Sequence, residues 1–293
     1  MTDAPALRPL GVGDVVDRVF TIYRSRPLLL LGLAAIPYLI LAIAAGALTV
    51  AFLPAFVALA PALRPGGGLP ATEAIFGFAA FVLLIAVLAI VLFAVQSAAL
   101  VDAVAARYLG RETTTRRSFG AGLRATPRLI GAGLLVFLGV ALPPVLLVVA
   151  AAVTGEGLVI ALGVVAALVL VMYLVASWMV VPVVATIEGT GPVATLARAW
   201  RLSGGSRWRV LGLLLLLVVL QVVISALFAF ALIGLFFADA AVRFVAQQGL
   251  NLLASIAWAP VQWGTFTVLY YDMRVRKEAF DLQLAAEALP REP

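Results

Sequence analysis

Six stretches of this chain carry no Asp, Glu, Lys or Arg, and each is long enough to cross a bilayer. They run over 27–63, 74–101, 129–155, 157–187, 210–238 and 244–271. A helix rises about 1.5 Å per residue, so about 20 apolar residues span the hydrocarbon. The chain therefore reads as an all-α polytopic integral membrane bundle. Composition agrees, with 12% charged and 65% hydrophobic residues and a mean hydropathy of +1.17. A soluble domain carries about 25% charged residues.

The expected organisation is a single membrane domain over 1–293. An interfacial helix at 10–25 precedes spans at about 27–53, 74–106, 129–153, 157–186, 208–237 and 249–275, and a tail covers 276–293. The start lacks the pattern of a cleavable signal peptide, since Asp3, Asp14 and Asp17 lie in it and the first apolar run exceeds an h-region.

The basic residues alternate between the spans. Arg8, Arg18, Arg24 and Arg26 precede the first. Arg107, Arg111, Arg116, Arg117, Arg124 and Arg128 follow the second. Arg198, Arg201, Arg207 and Arg209 follow the fourth, and Arg274, Arg276, Lys277 and Arg291 follow the sixth. Only Arg64 and Arg243 fall on the opposite side. The positive-inside rule places both termini in the cytoplasm, as an even span count requires. The pI of about 10.3 thus reflects topology and attraction to anionic headgroups, not nucleic-acid binding. The 19 Arg against one Lys, with abundant Ala, Leu and Val, suggest a GC-rich bacterium and its inner membrane.

Cys and His are both absent. This removes disulfides, thiolate or imidazole metal sites, and nucleophiles activated by histidine. No cofactor is implied.

Helical periodicity places Val12, Val15, Val16, Val19, Phe20 and Tyr23 on one face of the first interfacial helix. That helix reads as an elbow seating the bundle, or as a docking site. A second interfacial helix is expected at 192–203, with Val193, Leu196, Ala197 and Trp200 as its stripe and Ser203–Ser206 as its stop. A weaker third copy falls at 115–126. Together they suggest three repeats of one unit, an interfacial helix followed by a helical hairpin. Arg24-Ser-Arg-Pro27 parallels Arg124-Ala-Thr-Pro127. Val95-Gln96 with Arg111-Glu112 parallels Val261-Gln262 with Lys277-Glu278 at the same spacing.

The candidate intramembrane sites are Gln96, Pro182, Gln221, Pro260, Gln262 and Trp263. Amides in lipid are usually satisfied by a neighbouring helix, and each proline removes a helix hydrogen bond. Pro260-Val-Gln-Trp-Gly264 reads either as a broken helix lining a cavity or as a kink whose freed carbonyl meets Gln262 or Ser255. No ionisable residue lies near the middle of a span, which counts against ion-coupled transport. Asp102 and Asp272 sit at span ends, where Arg107 and Arg274 are the expected partners.

Three stretches carry a resemblance. They are Leu7–Arg24; Trp178–Pro182 with Ile187–Pro192 and Arg207–Gly212; and Leu269-Tyr-Tyr-Asp-Met-Arg-Val-Arg-Lys-Glu-Ala-Phe-Asp-Leu282. The chain resembles the membrane domain family of glycerophosphoryl diester phosphodiesterase, in its stand-alone bacterial form. In that family the hydrolysis belongs to a separate soluble barrel using His and acidic residues. The resemblance therefore implies a multi-pass module without the enzyme.

In the third stretch Tyr270 and Tyr271 read as interface anchors. Asp272, Arg274, Arg276, Lys277 and Glu278 are candidate docking residues for a protein partner, with i,i+4 pairs expected at Arg274–Glu278 and Lys277–Asp281. The expected function is a non-enzymatic, lipid-associated scaffold or anchor for a partner protein. The alternative is a transporter or flippase for an apolar or amphipathic solute. The sequence sets no oligomeric state.

Overall fold

The computed structural model describes residues 9–64, 68–230 and 239–288. The opening Leu7-Arg8, the end of the fifth span at 231–237 and the tail beyond 288 lie outside the described residues.

Every described element is helical. Helix α1 (Val12–Ser25) leads into α2 (Pro27–Ala51), then a short α3 (Leu53–Leu59) ending in a 3-10 turn at Ala60–Leu63. Helices α4 (Thr72–Tyr108) and α5 (Thr115–Val153) follow, then α6 (Gly157–Trp178) and α7 (Val181–Ile187). The chain continues through α8 (Pro192–Ser203), α9 (Arg207–Phe230), α10 (Ala240–Glu278) and α11 (Phe280–Ala288). Six segments are long and apolar enough to cross a membrane: α2, α4, α5, α6 with α7, α9 and α10.

The spans close on themselves. Helix α2 packs on α4, α4 on α5, α5 on α6, α6 on α9, α9 on α10, and α10 returns to α2. Helix α10 also packs on α1 and α4. It is the centre of the bundle, with 61% of its most apolar window buried in protein against 11–22% in the other five spans. Burial concentrates toward the end carrying the arginines, at Ala94–Ala105, Val180–Ala185 and Ala259–Val275. The opposite halves of the spans present Leu, Val and Phe outward, to the hydrocarbon of the bilayer.

One packing relation recurs three times at this basic end. The interfacial segment of each unit seats on the second hairpin helix of the unit before it. The start of α5 lies against α4, where a Cβ on Gly122 would come 2.7 Å from the Val95 carbonyl oxygen. Helix α8 packs on α6 and α7. Helix α1 closes the cycle on α10, with Val19 against Gly264.

Several sequence expectations change here. Residues 115–126 are not a separate interfacial helix but the opening of α5, which runs unbroken through Pro127. Helix α8 buries Thr195, Ala199 and Leu202. Of its expected stripe, Leu196 packs on the core, while Val193 and Trp200 lie outward, Trp200 against Trp178 and Tyr173 beside the helix. Helix α10 continues through Pro260 without a break.

Candidate functional site

The basic end is held by three polar joints, one at the foot of each hairpin. Each places an acidic residue from the end of an even-numbered span against the next interfacial segment.

The first joint is Asp102 on α4. Ser118 on α5 donates to its Oδ2 at 2.8 Å, and Thr113 lies 3.0 Å from the Ser118 hydroxyl.

The second joint is built around Arg198 on α8. Its Nε donates to both carboxylate oxygens of Glu188, at 2.9 and 3.0 Å. Its Nη2 donates to Glu278 at 2.9 Å, and Nη1 also bonds Glu278. Arg274 adds a bond to Glu278 at 3.1 Å, and the Tyr270 hydroxyl donates to Glu188 at 2.8 Å. One planar guanidinium thus joins the end of α7 to the end of α10, a task that its fixed fork of donors suits. Hydrogen bonding to Glu278, partly opposed by burial and reinforced by Glu188, raises the Arg198 pKa and keeps it protonated.

The third joint is Asp272 on α10, which is fully buried. Its Oδ1 accepts the backbone N–H of Leu10 at 2.7 Å. Arg209 at the start of α9 bonds Oδ2, and Arg276 bonds both oxygens at 3.1 and 3.2 Å. The two arginines also grip the Leu10 carbonyl oxygen, Arg276 at 2.8 Å. A buried carboxylate needs such partners, since an unpaired charge in this setting is strongly unfavourable.

An aromatic column stands beside the joints. Tyr108 stacks on Tyr271 with centroids 5.2 Å apart, and Tyr271 stacks on Phe280 at 5.6 Å. Arg18 lies over Tyr108 at 5.7 Å and Arg274 over Phe280 at 4.0 Å. A guanidinium therefore caps each end, a favourable cation–π arrangement, and the column links α1, α4, α10 and α11.

Tyr270 and Tyr271 are core residues, not interface anchors. Asp272 pairs with Arg209 and Arg276 rather than with Arg274, and Asp102 is met by a hydroxyl rather than by Arg107. The Arg274–Glu278 pair is present. Lys277 does not reach Asp281. Instead it donates to the carbonyls of Arg201, at 2.8 Å, and Gly204. That contact satisfies the end of α8 and complements its dipole. The charged groups of the docking candidates Asp272, Arg274, Arg276, Lys277 and Glu278 are thus engaged inside the protein.

Gln96 is buried and donates to the Ala34 carbonyl oxygen at 2.8 Å. That carbonyl lies three residues before Pro37, beside the Leu33 carbonyl that Pro37 leaves without its helical donor. Gln96 also lines a cavity of about 280 Å³ between α2 and α4, otherwise walled by Pro37, Tyr38, Leu41, Ile90 and Phe93. Gln221 bonds Ser225 at 3.2 Å, while its Oε1 is buried with no partner among the described residues. Gln262 is half-buried and makes no hydrogen bond there. Neither Gln262 nor Ser255 donates to the carbonyl freed by Pro260. Trp263 is buried edge-on against Phe93 and Phe266, at 5.5 Å each. Pro182 opens α7, and the turn before it divides the fourth span. Gln221 and Gln262 are not among the residues lining the cavity at Gln96.

Sequence reasoning missed Leu10, Glu188, Arg198 and Arg209 as members of one site. A signal was present. Leu10, Glu188, Arg209, Asp272 and Glu278 all lie in the three stretches singled out in the sequence, Leu7–Arg24, Ile187–Pro192 with Arg207–Gly212, and Leu269–Leu282, and the fold brings those stretches together. Among the described residues no three acidic side chains group as a metal site. Comparison of the chain with protein-family models, with curated proteins and with solved structures finds no match.

Proposed function

We propose that this protein is a non-enzymatic multi-pass module of a bacterial inner membrane, a lipid-associated scaffold or anchor for a protein partner. Both termini lie in the cytoplasm on this reading, as the positive-inside rule directs. One observation carries it. The two ends of the described chain are fastened to each other, Leu10 to Asp272, with Arg209 and Arg276 closing over the contact. With the Arg198 joint, this ties the basic end into one body. Alternating access needs repeats that rock against each other at both faces, and such fastening opposes that motion. A rigid basic end with outward apolar spans suits a fixed platform. The resemblance to a membrane domain that accompanies a separate catalytic barrel points the same way.

The transporter or flippase reading keeps one observation in its favour, the Gln221 Oε1 and the Gln262 amide, which have no hydrogen-bond partner among the described residues. A solute could satisfy them.

Native mass spectrometry of the gently extracted protein, paired with proteoliposome assays, separates the two. The scaffold reading expects lipid or protein retained at fixed stoichiometry and no movement of fluorescent lipid or amphiphilic dye above protein-free vesicles. Protein-dependent transbilayer movement would overturn it.

A further inference from the structure

Between α1 and the end of α4 lies a pocket of about 200 Å³, walled by Arg18, Thr21, Ile22, Ser25, Arg107 and Tyr108. No wall residue is acidic. Arg18 and Arg107 are both half-buried, and neither bonds a carboxylate among the described residues. This sets them apart from Arg198, Arg209, Arg274 and Arg276, each of which holds an acid. The nearby Glu112 is engaged by Arg26 at 3.3 Å. Two like charges on one small cavity repel, and an anion between them removes that repulsion.

The pocket is also organised. The face of Tyr108 fixes Arg18 at 5.7 Å, and Tyr108 is itself held by Tyr271 in the buried column. Thr21 and Ser25 hydroxyls now donate to the backbone carbonyls of Asp17 and Ile22, and either can turn its hydrogen to a ligand. Guanidinium pairs with hydroxyls are a common means of recognising phosphate, because the planar fork matches its oxygens.

We propose that this pocket binds a phosphate group, with Arg18 and Arg107 as its two charge partners. The phosphate belongs either to an anionic phospholipid headgroup or to a soluble phosphate ester. The site deepens the lipid-associated part of the reading above and does not depend on the scaffold part.

The test uses the full chain, delipidated in mild detergent, with native mass spectrometry as readout. The probes are phosphatidylglycerol, phosphatidylcholine and glycerol 3-phosphate. The variants are R18Q/R107Q, the charge-keeping R18K/R107K, and R24Q on the exposed side of the same helix. The expected result is one saturable adduct that R18Q/R107Q weakens by about tenfold or more and R24Q leaves unchanged, with R18K/R107K between them, the pattern of charge-assisted bonding. Tighter retention of phosphatidylglycerol than of glycerol 3-phosphate assigns the site to lipid, and the reverse assigns it to a soluble ester. Melting without ligand checks the fold, and R107Q alone replaces the double variant if that one unfolds. Equal binding of every probe to wild type and to the folded variant overturns the site. The scaffold reading would survive that result, because the transport assay tests it separately.

Discussion

Asp272 accepts the backbone N–H of Leu10 at 2.7 Å, a bond spanning 262 positions of chain. It fixes the start of the fold to the last span. Truncating Asp272 to Ala would leave Arg209, Arg276 and the Leu10 amide without their acceptor. Breaking a fully buried pair costs about 3–5 kcal/mol. Both guanidiniums keep some water here, with side chains 20% and 38% exposed. The expected loss for D272A is therefore nearer about 2–3 kcal/mol. D272N should lose less, because its amide oxygen still accepts from Leu10. Denaturant titration in detergent measures the loss, and limited proteolysis should show the N-terminal segment cut first. Equal stability of D272A and wild type would remove Asp272 as the clasp.

Much of this architecture was legible. Uncharged length gave the spans, and the alternating arginines gave a common basic end. Apolar spacing on α1 marked Val15 and Val19 as inward, and both are buried. The site itself was less legible. Arg209 and Asp272 lie 63 positions apart, and nothing local in either stretch names the other as partner. Closeness in sequence suggested Arg274, but two residues along a helix point apart; the i,i+4 spacing brings Arg276 to Asp272, and only the closure of α9 on α10 brings Arg209 into reach. Tyr271 was misread for a related reason. A tyrosine at interface depth is anchor or core according to what covers it, and α4 and α11 supply that cover.

Arg198 serves two carboxylates, so lysine cannot replace it. R198K keeps the charge but loses the bidentate fork to Glu188 and Glu278. It should destabilise by about 1–2 kcal/mol, the scale of one or two charge-assisted hydrogen bonds. The Arg198 pKa is raised in the fold. For a base shifted upward, the stabilisation is complete below its unfolded pKa and fades only as pH rises through the folded one. The Arg198 titration should thus add no pH dependence to the gap between wild type and R198K from about pH 6 to 9. A double-mutant cycle with E188Q checks the coupling, and additivity there would deny the bridge.

Gly122 allows α5 to lie on α4. A Cβ there would meet the Val95 carbonyl oxygen at 2.7 Å and the Ala99 methyl at 3.3 Å, and backbone cannot swing aside as a side chain can. G122A should lower stability by about 1–3 kcal/mol, as overpacking does. Gly133, on the same helix, has nothing within 4 Å of the added atom. G133A should therefore hold stability or raise it by up to about 1 kcal/mol, because Ala favours a helix interior over Gly. The same thermal melt on both variants tests the contact, and equal effects of G122A and G133A would remove the Val95 contact as the cause.

Gln96 and Gln221 look alike in sequence, each an amide within an apolar run, yet their structural positions differ. Gln96 bonds the Ala34 carbonyl, in the turn before Pro37. Replacing it with Leu removes that donor and should cost about 0.6–2 kcal/mol, the range for amides between membrane helices. Gln221 bonds only a neighbouring serine on its own helix and leaves its Oε1 unpartnered. Q221L removes an unsatisfied buried oxygen and adds an apolar side chain, so stability should hold or rise. Parallel melts of Q96L and Q221L decide this. If Q221L were the more damaging of the two, Gln221 would have to meet a partner absent from the described contacts, and a bound solute would become the leading explanation.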